Sequence, residues 1–482
     1  MTQLIQTIFK QRTKELLQDE YDAFEKSLET QPPVSIRINP QKFVAGIPLS
    51  QWINRHESSS INSDSFKLAV NIQETIPWCE TGQYLRERPS FTFDPLFHAG
   101  TYYVQEAASM FTEQAILKIL GQAECRNKQI TALDLCAAPG GKSTLLQTLL
   151  PEGSLLVSNE VIRSRSMILA ENMAKWGMPD NIVTNNDPKD IGRLTHLFDI
   201  ILADLPCSGE GMFRKDPASR NEWNIDNVKL CASRQRRIIH DVWSTLKPGG
   251  WLIYSTCTFN TEENEENACF LAKELGAELI SIPVKKEWNI AGALCGDIPA
   301  YRFFPHRTRG EGFFLALMRK RDADTEIVKI KTKQKINKTA ISDHIKNMLL
   351  NHEKFTFLAT KYVSAIPKVH ESVYEILSER LNIVSAGILM GEYKGNDFIP
   401  STSLALSTEI NTSAFPVIDL SYDQAIKYLQ REAINLPEGS SKGYVLVTFN
   451  NKPLGFVKNI GNRANNLYPQ EWRIRRELRV VS

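Results

Sequence analysis

The stretch ALDLCAAPGGKST, Ala132 to Thr144, decides the fold. An apolar run ends at Asp134, small residues turn the chain through Pro139-Gly140-Gly141, and a helix is predicted from Lys142. Missing side chains at such a turn let a ligand approach the backbone N–H groups of a helix N-terminus, the mark of a nucleotide-binding turn. Gly141-Lys142-Ser143 also matches the end of a phosphate loop. That motif needs glycine at position 136, where this chain has Cys136. It also needs a downstream carboxylate for magnesium, for which Asp204 alone is weak support.

Outward from this turn, short apolar runs at 130–135, 154–160, 181–187, 198–206, 251–258 and 313–320 alternate with helical patterns at 142–150, 162–177, 226–246 and 261–275. Strands and helices at this spacing predict βαβ units and a mainly parallel, Rossmann-like α/β sheet. The pattern ends near Arg321, where the sheet is expected to be complete. The N-terminal residues 1–105 read as an α+β region: a helix to about Leu28, a strand-like run SIRINP (Ser35 to Pro40) and an irregular stretch over 51–100. The core domain is expected over 106–321, opening with a helix from Glu106 to Leu120. Residues 322–399 read as a lysine-rich linker and a small α/β region with helices near 341–351 and 368–380. A final domain, 400–482, shows a helix from Tyr422 to Arg431 and strands over 443–451 and 453–460.

The 482 residues carry 57 Lys and Arg against 55 Asp and Glu, a formal charge of +2, so any basic binding surface must be local. No apolar run reaches the ~18 residues of a membrane helix. The N-terminus mixes charges at helical spacing and lacks the apolar block of a signal peptide, so the cytoplasm is the expected compartment and no membrane partner is expected. Eight cysteines, at 79, 125, 136, 207, 231, 257, 269 and 295, include no CxxC pair. That excludes zinc-ribbon and thioredoxin readings, and no metal is expected. Most read as small buried hydrophobes. Cys136, Cys207 and Cys257 differ, because each sits at a strand end inside a Gly, Pro or Ser cluster.

Acids at the carboxyl ends of later strands complete a pocket beside the turn. Glu160 ends the second strand, 19 residues after Gly141, the placement of a carboxylate that grips ribose hydroxyls. Asp187 ends the third strand and Asp204 the fourth. Each alone would read as a turn or helix cap. Three in register, with no phosphate-binding set of Lys and Arg, suit a cationic nucleoside better than a pyrophosphate, and S-adenosylmethionine is such a ligand. Two further segments, ADLPCSGEGMFRKDP (Ala203 to Pro217) and YSTCTFN (Tyr254 to Asn260), each place a cysteine just past a parallel strand. A thiolate at neutral pH needs a cation or a helix N-terminus nearby. Asn260 and Glu263 read as a capping pair for the next helix, which would put its N-terminus just beyond Cys257.

These motifs resemble the Sun/Nop family of RNA cytosine-5 methyltransferases, which pair a Pro-Cys with a Thr-Cys motif. Cys136, Ala137, Ala138, Pro139, Gly140, Gly141 and Lys142 match the family's cofactor loop. Asp204-Leu205-Pro206-Cys207-Ser208-Gly209 matches its Pro-Cys motif and Ser255-Thr256-Cys257 its Thr-Cys motif. SIRINP, YYVQEAASM (Tyr102 to Met110) and FFPHRTRGEGFF (Phe303 to Phe314) are supporting matches. The ending LGFVKNIGNRANNLYP resembles the appended region of the bacterial small-subunit (16S) rRNA methyltransferase F branch.

The resemblance implies S-adenosylmethionine-dependent methylation of cytosine carbon 5 in RNA, with Cys257 as nucleophile and Cys207 assisting release. It also implies a C-terminal PUA-like RNA-binding domain. Small-subunit rRNA is the expected substrate; tRNA, or a non-catalytic role in ribosome assembly, is the alternative. A DNA cytosine methyltransferase would carry its nucleophile in the Pro-Cys motif followed by Gln, where this chain has Ser208. RNA contacts are expected at Arg214-Lys215, the helix bearing Arg234, Arg236 and Arg237, the stretch Arg302 to Arg309, and the tail 452–482. That tail holds seven basic residues and two acids, with Tyr468 and Trp472 interleaved. Residues 400–482, which carry this tail, read as a substrate-holding module whose removal leaves cofactor binding unchanged.

Overall fold

A computed structural model describes residues 2–42, 71–125, 128–216, 218–321, 330, 332, 335–336 and 341–475. Arg476, Glu477 and Arg479 of the tail, positions 51–70 and most of the expected linker lie outside the described residues. The N-terminal region opens with helices α1 (Thr2–Leu17) and α2 (Tyr21–Ser27). A four-stranded sheet follows, from β1 (Val34–Ile38), β2 (Ile72–Thr75), β3 (Gly82–Leu85) and β4 (Tyr102–Val104), in the order β2-β3-β1-β4.

The core sheet is built from β5 (Thr131–Asp134), β6 (Leu155–Asn159), β7 (Asn181–Thr184), β8 (Phe198–Asp204), β9 (Leu246–Thr256), β10 (Ala277–Ile280), β11 (Ala300–Phe303) and β12 (Phe313–Lys320). β5 to β9 are parallel, and β12 returns antiparallel to β9. The parallel strands are almost wholly buried, as expected for a sheet covered on both faces. Helices α3 (Thr112–Leu120), α4 (Gly141–Leu149), α5 (Arg163–Trp176), α6 (Ile225–Val242) and α7 (Glu265–Leu275) alternate with them. β5 pairs with β6 on one side and β8 on the other, so the strand order reverses there. In open α/β sheets the crevice beyond the strand ends at that point is where ligands bind.

The sheet is not complete at Arg321. Beyond it lie β13 (Phe355–Ala359), β14 (Tyr362–Pro367), helix α8 (Glu371–Arg380), β15 (Ile383–Ala386), β16 (Ile388–Lys394) and β17 (Asp397–Pro400). β15 pairs antiparallel with β7, covering an edge that would otherwise leave its backbone groups unpaired. The others form a separate antiparallel sheet, β13-β14-β16-β17. The helix expected over 341–351 shrinks to Asp343–Lys346, because Leu349 bridges Ile410 and Leu350 N–H donates to Glu409 O. The helix expected from Glu106 begins only at Thr112. The Glu106 carboxylate accepts the N–H groups of Ala108 and Ser109 and tightens residues 108–111 into a 3-10 turn.

The C-terminal sheet is β18 (Val417–Asp419), β19 (Gly443–Phe449), β20 (Lys452–Asn459) and β21 (Ala464–Asn466), with α9 (Tyr422–Leu429) packed on it. Asn450 and Asn451 both have positive φ, 50° and 59°, which closes the β19–β20 hairpin in the sense that matches strand twist. This sheet has no private core. Val445, Val447, Leu454 and Tyr428 pack with Ile36, Leu85, Leu96 and Tyr102 of the N-terminal region. Leu446 and Phe456 pack with Phe357, Val363 and Met390 of the 355–400 sheet. Among the described residues no helix is long and apolar enough to cross a membrane.

Candidate active site

The turn after β5 is held by its neighbours through backbone groups. Leu135 N–H donates to Leu202 O and Ala137 N–H to Asn159 O. Arg165 donates to Ala138 O at 2.7 Å and Asn172 to Pro139 O at 2.8 Å, so α5 fixes the loop from outside. Gly140 has φ +117°, a conformation that favours glycine. A Cβ on Gly141 would stand 3.3 Å from Tyr103, so the helix N-terminus is cradled closely. Asp134 ends β5 fully buried. One oxygen accepts from Ser143 at 2.7 Å and the other has no hydrogen-bond partner. Burial pushes its carboxyl up to about 7, against the hydrogen bond from Ser143.

Glu160 is buried at the end of β6, with one oxygen taking Ile162 N–H and the other 3.4 Å from Arg165. Asp204 ends β8, where it accepts from Lys142 Nζ and Ser255 Oγ, both at 2.8 Å. Burial works against the Lys142 ammonium, but Asp204 outweighs it and raises the lysine, helped by Cys257 and Asp134. Cys136 is half-buried, and burial with the nearby acids pushes its thiol far up. Asp187 is exposed and caps the 188–191 turn through Lys189 N–H at 3.0 Å, the local role open to any acid there.

Cys207 Sγ lies 3.2 Å from Cys257 Sγ. Its hydrogen bond to Cys257, together with burial, pushes the Cys207 thiol well up, so it keeps its proton. Two buried carboxylates brace the cysteine loops against each other. Glu210, just past Cys207, accepts the N–H groups of Phe259 and Asn260, both at 2.8 Å. Glu263, just past Cys257, accepts Ser208 N–H at 3.0 Å, Asn260 Nδ2 at 2.8 Å and Gln235 Nε2 at 2.8 Å. This use of Glu263, with Asn264 turned inward on Thr256 and Thr258, delays α7 to Glu265. The helix N-terminus expected just past Cys257 is therefore displaced to Glu265, although Asn260 and Glu263 do bond each other as a pair. Cys257 is among the groups that favour the charged form of the half-buried Lys142.

The profile of the 16S rRNA methyltransferase RsmB/F family matches residues 123–319. Profiles for the N-terminal domain of 16S rRNA methyltransferase RsmF and for the methyltransferase RsmF PUA domain match residues 5–107 and 415–474. Ribosomal RNA small subunit methyltransferase F of Aliivibrio salmonicida is 31% identical over 417 residues, 83% of this chain and 85% of its own. The chain belongs to the ribosomal RNA small subunit methyltransferase F family. The Photobacterium profundum member is 29% identical over 455 residues, 90% of this chain and 93% of its own. A solved methyltransferase homolog protein from Pyrococcus horikoshii superposes with a TM-score of 0.53 at 26% identity, covering 65% of this chain and 94% of that one.

This methyltransferase F family member uses residues that the sequence did not single out. Arg37, in the middle of SIRINP, is fully buried and stacks over Trp176 at 4.5 Å. It bonds Gln105 at 2.8 Å, Gly141 O at 3.2 Å and Thr144 Oγ1, so the N-terminal sheet supports the first turn of α4. Its strand pattern signalled burial, but nothing in it signalled the target. Several expected RNA contacts are structural instead. Arg302 is buried on Glu265 and holds Phe259 O at 2.7 Å. Arg214 is buried on Glu311, and Arg236 bonds Asn267. Tyr468 lies in the core, Lys452 bonds Lys42 O, and Lys458 pairs with Asp397. Arg463, Arg473 and Arg475 remain exposed.

Proposed function

We propose that the protein methylates carbon 5 of a cytosine in small-subunit rRNA, with S-adenosylmethionine as donor and a covalent Cys257–cytosine intermediate. The observation that carries this reading is the 3.2 Å approach of Cys207 and Cys257 beside the Lys142–Asp204 pair. The pocket fits the donor: a glycine cradle at a helix N-terminus, an unpartnered Asp134 oxygen and the buried Glu160 suit a cationic nucleoside. Residues 136–142 and Glu160 would hold it, with Asp204 and the exposed Asp187 at adjoining strand ends. Bound S-adenosylmethionine supplies an electrophilic methyl group.

Carbon 5 of cytosine is too weak a nucleophile to act unaided, so covalent activation is needed. Cys257 Sγ, as thiolate, forms a bond to carbon 6, and the ring electrons this releases make carbon 5 nucleophilic. Lys142 and Asp204 can hydrogen-bond the ring as charge moves on to it. After methyl transfer, water or the Asp204 carboxylate takes the carbon-5 proton, and the freed electron pair re-forms the C5–C6 double bond as the S–C6 bond breaks and Cys257 leaves as thiolate. Cys207, which keeps its proton, assists that departure. The base must be unstacked to reach the pocket.

Cys257→Ser is expected to abolish methylation while leaving RNA binding intact. Cys207→Ser is expected to accumulate a denaturation-resistant protein–RNA adduct on gels with small-subunit rRNA, and bisulfite sequencing would locate the cytosine. An adduct with Cys257→Ser but not with Cys207→Ser would reverse the assignment.

A further inference from the structure

A cleft of about 940 Å³ opens between the N-terminal sheet and the 305–311 segment, outside the cysteine and cofactor pockets. Its walls come from five separate stretches: 31–35, 85–88, 104–106, 214–215 and 305–311. Its acids and cations are disposed differently. Glu106 is engaged by the N–H groups of Ala108, Ser109 and Glu311, and Glu311 by the buried Arg214. Of the lining carboxylates only Glu87 is exposed. Arg86, Arg88 and Lys215 are exposed on the rim, and none makes an ion pair among the described residues. Arg307 and Arg309 add charge beside them, tethered to Glu20 and Glu74.

Two of its lining residues tie the cleft to the catalytic centre. Gln105, which lines it, bonds Arg37, and Arg37 holds Gly141 O at the start of α4. On the other wall the chain passes from Glu311 to Gly312, which lies against Gly211. A Cβ on Gly211 would meet Gly312 O and Cys257 O, each at 2.7 Å. Among the described residues the cleft offers no exposed aromatic platform: Tyr84 is 1% exposed beneath Arg309, and Phe91 is buried next to Arg88. Proteins that grip single strands by their bases present such aromatics. A concave basic surface without them suits the charged backbone of a strand.

We propose that this cleft carries the RNA strand flanking the target nucleotide, gripped by its phosphates at Arg86, Arg88 and Lys215. The inference rests on the RNA-methyltransferase reading above and adds where, and by which chemistry, the strand is held. Contacts to phosphate carry no base information, so sequence choice is made elsewhere on the protein.

The test is fluorescence anisotropy of the full chain with an unstructured oligoribonucleotide over a salt series. Each phosphate contact on a single strand contributes about 0.7 to the slope of log affinity against log salt. The triple variant Arg86→Ala/Arg88→Ala/Lys215→Ala is expected to lose about tenfold or more in affinity at low salt and about 2 from that slope. Its S-adenosylmethionine binding, followed by calorimetry, is expected to match wild type. The comparison variant is Lys273→Ala/Lys285→Ala/Lys286→Ala, which removes the same charge from exposed positions that do not line the cleft. It is expected to keep both affinity and slope. A cleft variant that binds like wild type, or a comparison variant that loses as much, would overturn the proposal. Methylation by the wild-type chain is read separately, so failure of the enzymatic reading is distinguishable: RNA would still bind through the cleft with no methyl transfer.

Discussion

Glu263 is the residue whose chemistry differs most from what its surroundings in sequence suggest. Within TEENEEN it reads as the helix-capping partner of Asn260, which it does bond, yet it is also fully buried and bears on both cysteine loops. Burial, opposed by hydrogen bonds from Ser208 and Asn260, pushes its carboxyl up to about 7 from 4.5. A carboxyl raised in the folded state binds its proton more tightly than in the unfolded chain. Its contribution therefore favours folding below about pH 4.5 and is lost as pH rises through about 7, a span on the order of 3 kcal/mol. Glu263→Gln removes the titration and turns one acceptor into a donor facing donors. The stability of wild type relative to this variant is expected to fall as pH rises from about 5 to about 8, measured by thermal unfolding. The variant's kcat is expected to drop with S-adenosylmethionine binding unchanged. Parallel stability curves and an unchanged kcat would show that the brace does not matter.

At the scale of elements, α5 links distant parts of the chain. Its first half fixes the cofactor loop through Arg165 and Asn172. Its C-terminus carries carbonyls that need partners, and two distant regions supply them. Lys42 donates to Lys175 O at 2.6 Å, Asn39 to Trp176 O at 2.9 Å, and Thr408 N–H to Gly177 O at 2.9 Å. Burial, with Lys452 nearby, brings the Lys42 ammonium down to about 7, a sign of how dry this junction is. Asn39 is fully buried and also donates to Gly100 O. Asn39→Ala leaves two buried carbonyls short of a donor, at about 1–3 kcal/mol each. The variant should unfold at a lower temperature in a calorimeter, and a midpoint equal to wild type would refute this account of the junction.

For the whole molecule, the shared cores change what truncation should do. Read along the sequence, residues 400–482 are an appendage the catalytic sheet can lose. In the fold they cover Ile36, Leu85, Leu96 and Tyr102, and baring such side chains costs about 1.5–3 kcal/mol each. That sum approaches the whole stability of an ordinary domain, about 5–15 kcal/mol. Deleting 400–482 is therefore expected to lower the thermal midpoint sharply. It should also weaken S-adenosylmethionine binding, because the N-terminal sheet carries Arg37 to the cofactor helix. Calorimetry of the truncated chain checks both, and an unchanged midpoint with unchanged cofactor binding would establish independent modules.

The sequence by itself determined the core α/β sheet, the cofactor turn and the two cysteine motifs. Those features are local: an apolar run ending in Asp134, a turn of small residues, a helix, and Pro-Cys or Thr-Cys at the next strand ends. Local steric and hydrophobic rules act over a few residues, so they can be read in order along the chain. Tertiary structure alone decided the rest. It brought Cys207 and Cys257 to 3.2 Å, put β15 on the edge of the core sheet, placed Arg37 under Gly141, and buried Arg214 and Arg302, which in sequence looked like free cations. It also made the basic cleft from five stretches. Which charge meets which partner depends on residues brought together across 37 to 287 positions, and desolvation, which settles whether a charge is paired or free, exists only once the chain has closed around it.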